Sequence, residues 1–220
     1  MQIKFLGHSC FEIRESKNIL VDPFISGNPA SPYVELKPDI IAVTHAHSDH
    51  LGDTAELANK HNCKVVSIHE VSKYLGARGI VCEGMNKGGT VTLDGVDFTM
   101  TEAVHSSSFE DADGGCPAGF VIKDKKSVYH AGDTALFGDM RLIAELYHPD
   151  IALLPIGDRY TMGVREAATA TSWLKPGIVV PMHYGTFPAI EQSPDEFKEL
   201  VSSLCDSEVV VLKPGESFEY

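Results

Sequence analysis

The stretch Thr44-His45-Ala46-His47-Ser48-Asp49-His50 constrains this chain more than any other. It closes an apolar run over 40–44 that reads as a fully buried strand. A strand end is where a rigid sheet hands the chain to a loop, so side chains there can converge on one point. Imidazoles and a carboxylate at this density suit a borderline divalent cation, Zn²⁺, or Mn²⁺ or Fe²⁺ where oxygen ligands are richer. The plain alternative is a polar loop opening a helix, with Asp49 or Asp53 as its N-cap. One histidine would fit that reading; three histidines and an aspartate fit it poorly. Asp49 and His50 project differently from His45 and His47, so a single tetrahedral ion is badly served by all four. Two ions with partners from elsewhere are better served. Three single residues stand at later strand ends: His105, Asp133 in Ala131-Gly132-Asp133-Thr134, and His183 in Pro181-Met182-His183-Tyr184-Gly185.

Around these residues the chain alternates between strand-like and helix-like segments. Strands are expected over 2–6, 10–14, 18–21, 40–44, 64–68, 90–93, 96–103, 119–123, 127–129, 151–155, 177–180, 208–212 and 217–219. Helices are expected over 53–61, 69–77, 135–147 and 164–174. A last helix follows Ser193-Pro194-Asp195-Glu196, where Ser is the N-cap, Pro the first helical residue and Glu three residues beyond the cap. Loops fall over 24–38, 106–116 and 157–163. A short internal echo links the halves: 18–22 followed by 38–44 resembles 127–133 followed by 149–155. In each, a strand leads to an Asp, and a Pro-Asp pair opens an apolar strand ending in a polar loop. Two β-rich units of this kind pack as two sheets face to face with helices outside.

Composition sets the outer limits. The 220 residues fit one domain, 1–220, large enough to bury a core without disulfides. Five scattered cysteines with no C-x-x-C spacing read as reduced thiols in a reducing compartment. The N-terminal segment has no apolar core suited to a signal peptide, and no run of about 18 apolar residues occurs, so a cytoplasmic location is expected. Eighteen Lys+Arg against 31 Asp+Glu leave a formal charge of −13, which disfavours nucleic acid and anionic membranes as partners. A small anionic substrate at a cationic centre is not disfavoured by it.

The ordered set H-x-H-x-D-H, lone His, lone Asp, lone His resembles the metallo-β-lactamase superfamily over residues 22–183. The resemblance implies an α/β fold, a four-layer αββα sandwich with two mixed β-sheets and outer helices, and a dinuclear centre along one edge. Carried onto this chain, it implies His45, His47 and His105 on one ion, Asp49, His50 and His183 on the other, and Asp133 between them. Asp22, in Val21-Asp22-Pro23, matches the family's first motif and supports the histidine loop from behind. Gly7-His8-Ser9, Asp22-Pro23-Phe24 and Leu154-Pro155-Ile156-Gly157-Asp158 are similar to the small metal-dependent hydrolase branch. That branch looks related to L-ascorbate-6-phosphate lactonase and, more distantly, to N-acyl-phosphatidylethanolamine phospholipase D.

What this implies is hydrolysis of a small ester, lactone or phosphodiester, phosphorylated or not, by a metal-activated water. Two cations roughly 3.5–4 Å apart lower the pKa of a shared water and hold the developing oxyanion. Asp49 is the expected proton acceptor; zinc or manganese are the expected ions, with iron a third choice. Antibiotic hydrolysis is not expected, because true β-lactamases often carry Cys where Asp133 stands. Two other readings compete: a di-iron redox or oxygen-handling protein on the same fold, and a non-catalytic metal-binding module. His47 stands where the flavodiiron branch has Glu, and the ligand set is complete, so hydrolysis leads. Among the remaining residues, His8 is placed either in the cleft or as a buried polar group. His130 reads mainly as strand packing, and His61, His69 and His148 as helix-end residues. Asp158, Tyr160 and Thr161 are candidate substrate contacts, and the 106–116 loop is a candidate lid.

Overall fold

The computed structural model describes residues 1–32, 35–110 and 112–220. Tyr33 and Val34 in the 24–38 loop, and Asp111 in the 106–116 loop, lie outside the described residues. The first half runs β1 (Gln2–Phe5), β2 (Phe11–Arg14), β3 (Asn18–Val21), β4 (Ile40–Val43), one turn of helix α1 (Ser48–Leu51), α2 (Thr54–His61), β5 (Lys64–Ile68), α3 (His69–Gly76) and β6 (Cys82–Met85). The second half runs β7 (Thr90–Leu93), β8 (Val96–Glu102), β9 (Ala118–Lys123), β10 (Ser127–His130), α4 (Met140–Tyr147), β11 (Ile151–Pro155), α5 (Val164–Leu174), β12 (Ile178–Met182), a short 3₁₀ turn (Pro188–Ile190), α6 (Pro194–Leu204), β13 (Glu208–Val209) and β14 (Ser217–Glu219).

Among the described residues the strands form two seven-stranded sheets, ordered β14-β1-β2-β3-β4-β5-β6 and β13-β12-β11-β10-β9-β8-β7. Both are mixed in the same way. Antiparallel pairing through β1-β2-β3 becomes parallel through β3-β4-β5-β6. Likewise β7-β8-β9-β10 is antiparallel and β10-β11-β12-β13 parallel. Period-two alternation decides which side chain faces which layer. On β11, Ile151 and Leu153 join the core that the two sheets share, while Ala152 and Leu154 join a second core under the outer helices. Ile178, Val180 and Met182 of β12 divide from Val179 in the same way. Met140 and Ile143 of α4, Ala167, Ala170 and Leu174 of α5, and Phe197 and Val201 of α6 cover that outer face. On the other sheet, Ala58 of α2 and Val71 and Leu75 of α3 do the same. This is the expected four-layer αββα sandwich.

The echo between halves appears as matched hydrogen bonds. Asp39 Oδ2 accepts from the Asn18 amide and Asp150 Oδ2 from the Ser127 amide, each at 2.8 Å. Each Pro-Asp carboxylate thus caps the start of the neighbouring strand. The β2–β3 and β9–β10 turns also clasp each other: Ser16 donates to Asp124 Oδ2, and the Lys125 and Lys126 amides donate to Glu15 Oε2.

Several expected elements change. The helix expected over 135–147 starts at Met140. The Ala135 amide is drawn to Val104 O and its carbonyl to Thr134 Oγ1, so residues 135–139 tie one loop to another. Strand β6 was not expected, since Cys-Glu-Gly-Met has no β-branched residue. It forms by parallel pairing on β5, with Gly84 close against Ser72. The strand expected over 208–212 shrinks to Glu208–Val209. Ser193 does cap α6, its Oγ accepting from the Glu196 amide at 3.2 Å. No helix among the described residues is long and apolar enough to cross a membrane.

Candidate metal centre

His45, Asp133, His183 and His105 each follow the C-terminal end of a strand or lie one short loop beyond it: β4, β10, β12 and β8 respectively. His47 precedes α1, whose single turn is held by Leu51 and His50 amides on His47 O and carries Asp49 and His50. The Asp53 carboxylate does not cap α2; it accepts from the Ile25 and Ser26 amides at 2.9 Å each and pins the 24–26 loop behind the cluster. Thr134 fastens the other half. Its Oγ1 accepts from the Val104 amide at 2.9 Å, beside His105, and its carbonyl accepts from the Met162 amide at 2.9 Å.

The side chains meet in three overlapping sets: His8, Asp49, His50 and His183; His45, His47 and His105; and His45, His50 and Asp133. Asp133 stands between them. Its Oδ1 lies 3.3 Å from His50 Nε2, and its Oδ2 lies 3.0 Å from His183 Nε2 and 3.6 Å from His105 Nε2. His45 Nε2 and His47 Nδ1 face each other at 2.9 Å. Asp49 Oδ2 lies 3.9 Å from both His50 Nε2 and His183 Nε2.

Asp22 sets the tautomers. Fully buried, it accepts from the Thr44 amide at 2.8 Å, from Thr44 Oγ1 at 2.7 Å and from His50 Nδ1 at 2.7 Å. Because the Thr44 hydroxyl proton goes to Asp22, Thr44 Oγ1 is left to accept from His45 Nδ1, 3.0 Å away. His45 and His50 therefore both carry hydrogen on Nδ1 and turn Nε2 inward, a network-based assignment.

Burial and charge push the ionisations apart. Burial would raise the Asp133 carboxyl, but His183 and His50 outweigh it and hold it well below the usual carboxylate range. Burial would lower His50, yet Asp133 and Asp22 raise it well above the ordinary histidine value, so in the metal-free protein Nε2 attracts a proton that a bound cation would displace. His45 is pushed well down by burial and by the neighbouring imidazoles, and burial also lowers His47 and His105. Burial brings His8 to about 4, against the hydrogen bond it makes to Asp49. Burial would raise Asp49, but its His8 partner and the nearby charges hold it well below its usual range. For this pair the sound assignment is an anionic Asp49 and a neutral His8. His8 donates Nε2–H to Asp49 Oδ2 at 3.0 Å and accepts at Nδ1 from Thr186 Oγ1 at 3.0 Å.

The cluster fits a metal. His50 Nε2, Asp133 Oδ1 and both ring nitrogens of His183 are buried and lack a hydrogen-bond partner; the 3.0 Å approach of His183 to Asp133 is not aligned as one. Each such atom costs about 1–3 kcal/mol unless something meets it. A cation meets such inward lone pairs, and an all-imidazole-and-carboxylate donor set suits a borderline divalent ion.

Every expected ligand residue lies in this cluster, with Asp22 behind it. His8 is both buried and within it. Asp158 is not: it lines a separate hollow with Gly163, Arg165 and Glu196, whereas Tyr160 lines the cavity over the cluster. His130 donates Nε2–H to Ser9 O at 2.9 Å and packs as a strand residue. His61, His69 and His148 lie outside the sets. Sequence reading passed over Thr44, Thr134, Thr186 and Ser106. A hydroxyl adjoining a ligand residue, as at Thr44, Thr134 and Ser106, was the available signal.

Two mixed sheets with a histidine–aspartate cluster able to bind metal at their strand ends define a protein of the metallo-β-lactamase fold. A family model described as the beta-lactamase superfamily domain matches residues 17–184. The chain belongs to that superfamily and, within it, to the UPF0173 metal-dependent hydrolases. It is 52% identical to the UPF0173 metal-dependent hydrolase of Methanosarcina barkeri, covering 100% of this chain and 98% of that protein. The Archaeoglobus fulgidus relative is 47% identical, over 100% and 99%. Among solved structures, Igni18, a metallo hydrolase from Ignicoccus hospitalis, matches with a TM-score of 0.91 and 43% identity, covering 100% of this chain and 98% of that one. An isothiocyanate hydrolase from Delia radicum gut bacteria shares the fold, with a TM-score of 0.76 at 18% identity over 100% and 99% of the two chains.

Proposed function

We propose that residues 1–220 form one hydrolase domain that cleaves a small ester, lactone or phosphodiester at two divalent ions, zinc or manganese. One ion would be held by His45, His47 and His105 and the other by Asp49, His50 and His183, with Asp133 available to both. The observation that carries this reading is the placement of Asp133 between the two sets: its Oδ2 lies 3.0 Å from His183 Nε2 of one and 3.6 Å from His105 Nε2 of the other. Bound divalent ions supply Lewis acidity toward a carbonyl or phosphoryl oxygen and lower the pKa of water.

The chain's own groups do the rest. Asp22 keeps His45 and His50 in the tautomer with Nε2 free. His8 holds Asp49 through Oδ2 and so aims the carboxylate. At 32% exposure the Asp49 side chain is the most open of the carboxylates here, and it lines the 150 Å³ cavity with His47, Ser106 and Tyr160. It is the group placed to take a proton from attacking water, and Tyr160 and Ser106 can orient the substrate. The unpaired cysteines support a reducing, cytoplasmic setting.

The test is a panel of lactones, phosphodiesters and thioesters offered to protein loaded with Zn²⁺ or Mn²⁺. Turnover should vanish on chelation and fall at least about a thousandfold in Asp49→Ala. Unchanged turnover in that variant would refute the assignment. Iron together with electron transfer in protein made without added metal would favour redox chemistry instead.

A further inference from the structure

Beside His47 and Asp49 the cavity over the cluster adjoins a second, larger hollow of about 660 Å³, and the same two residues line both. The larger hollow has an apolar side built by Leu51, Tyr74 and Phe109. Phe109 is not a loose loop residue. Its ring stacks on Tyr74 with centroids 4.1 Å apart and planes 21° apart. On Tyr74 in turn lies the Arg78 guanidinium, 3.5 Å from the ring centroid, with Nη1 donating to Tyr74 O. The backbone beneath is tied down as well: the Phe109 amide donates to Ala112 O at 2.9 Å, and Ser107 Oγ accepts from the Ala46 amide at 3.2 Å and donates to Gly114 O at 3.1 Å. The loop after His105 is thus an anchored wall carrying an aromatic ring.

The side chains at the aromatic end of this groove supply no free cation. Among the described residues that line the two hollows, no Lys or Arg occurs, and outside the cluster the only charged side chain is Glu110. Arg78, whose guanidinium lies on Tyr74, is engaged there. An anionic group at the Phe109 wall would meet Glu110 with no Lys or Arg beside it, whereas next to His47 and Asp49 it would face the bound cations. A flat apolar arm would meet a half-buried ring already backed by a second one, the stacked geometry aromatic groups favour.

Resting on the hydrolase reading above, we propose that this groove seats an uncharged aryl arm of the substrate on Phe109. The enzyme is then selective for substrates whose arm at Phe109 is an uncharged aryl group over those whose arm there carries a negative charge.

Two measurements test it separately from the hydrolase reading. In the first, benzyl alcohol is titrated into the metal-loaded protein and followed by ligand-observed NMR. Wild type binds, Phe109→Ala binds at least about tenfold more weakly, and Phe109→Trp recovers binding. In the second, methyl, benzyl and 4-sulfobenzyl acetates, whose leaving alcohols are of similar acidity, are compared in kcat/KM. The benzyl arm leads each of the others by at least about tenfold, and Phe109→Ala reduces the benzyl-to-methyl ratio mainly through KM. Equal benzyl alcohol binding by wild type and Phe109→Ala, no binding at all, or a sulfonated arm turned over as well as the benzyl arm overturns the proposal. If no ester is cleaved, the hydrolase reading loses support, while the benzyl alcohol titration still decides whether the groove holds an arene.

Discussion

Replacing Asp22 by asparagine changes one buried atom and should disturb both metal positions. The carboxylate accepts three hydrogen bonds: one at Oδ1 from the Thr44 amide, two at Oδ2 from Thr44 Oγ1 and His50 Nδ1. An amide has a single oxygen. Turned to keep the two bonds at Oδ2, it sets its NH₂ against the Thr44 N–H; turned the other way, it loses two donors. The milder case removes one bond to a charged acceptor, about 1.5–3 kcal/mol, and strands a buried donor, so metal-free Asp22→Asn should lose about 2–5 kcal/mol. Metal binding suffers separately. Outer partners of histidine ligands are worth about ten- to a hundredfold in affinity, roughly 1.4–2.7 kcal/mol. Because Asp22 orients His50 directly and His45 through Thr44, the loss should appear at both ions. Thr44→Val separates the two: it removes the acceptor at His45 Nδ1 and leaves the Asp22–His50 bond, so one ion should weaken far more than the other. Urea unfolding of metal-free protein reads the first effect, and titration against a competing chelator the second. Binding within twofold of wild type at both ions in Asp22→Asn would show that the tautomer argument is wrong.

Gly157 comes so close to His183 that an added Cβ would collide with the His183 carbonyl oxygen and lie 3.2 Å from its Nδ1. Gly157→Ala should therefore lose about 1–3 kcal/mol in thermal unfolding and weaken metal binding at the His183 position. Loading with Zn²⁺ or Mn²⁺ at about a hundred times its dissociation constant should add about 2.7 kcal/mol per ion, about 5.4 kcal/mol for two, raising the melting temperature by roughly 10–20 °C, as scanning calorimetry would show. Asp150 carries a pH-dependent contribution. Burial would raise its carboxyl, but the Ser127 hydrogen bonds and Lys126 hold it below the ordinary range. With a folded value below the unfolded value of about 3.9, its stabilisation is present above that pH and lost as pH falls through the folded value. The stability gap between wild type and Asp150→Asn, about 1 kcal/mol near pH 7, should close as pH falls below about 4 in a series of denaturant titrations.

The residues that announce themselves in sequence are those whose chemistry is local. Strands β5, β7 and β11 and helix α5 were readable to the residue, because short apolar runs and a clean helical face carry their own signals. The H-x-H-x-D-H cluster was readable because its density has few structural uses. Where a hydrogen bond to a distant segment decides the backbone, the pattern misled. Ala135 and Leu136 look helical, but the Ala135 amide is held by Val104 O. The choice between Asp158 and Tyr160 shows the same limit. The Asp158 amide bonds to Met162 O and the Met162 amide to Thr134 O, a loop path that leaves Asp158 outside the cavity and Tyr160 on its rim. The Phe109–Tyr74 wall was invisible for a similar reason. It joins a loop of one half to a helix of the other, and although Phe109 follows His105 by four residues, nothing local in the sequence pairs it with Tyr74.

The internal echo shows how a repeated backbone can carry an unrepeated site. Read as text, it sets Asp22 opposite Asp133. The ladders disagree: Asn18 and Ser127 begin the matched strands, the Asp22 amide bonds to Ala42 O, and the Ala131 amide bonds to Leu153 O. Asp22 therefore corresponds to Ala131, and Asp133 lies two residues further along, past Gly132 in its left-handed turn at φ 61°. A Cβ on Gly132 would lie 3.1 Å from Thr44 Cβ, so the missing side chain lets the second loop settle against the residue before His45. The same matching pairs His45 with Ile156 and His47 with Asp158, the aspartate that lies outside the cavity. At β4 and β11 each half thus presents a strand end and a loop, but only β4 is followed by histidines; the cluster histidines of the second half, His105 and His183, follow β8 and β12. The second contributes Asp133 across the interface because its turn runs two residues longer. The asymmetry that lets one carboxylate reach both donor groups arises from that extension.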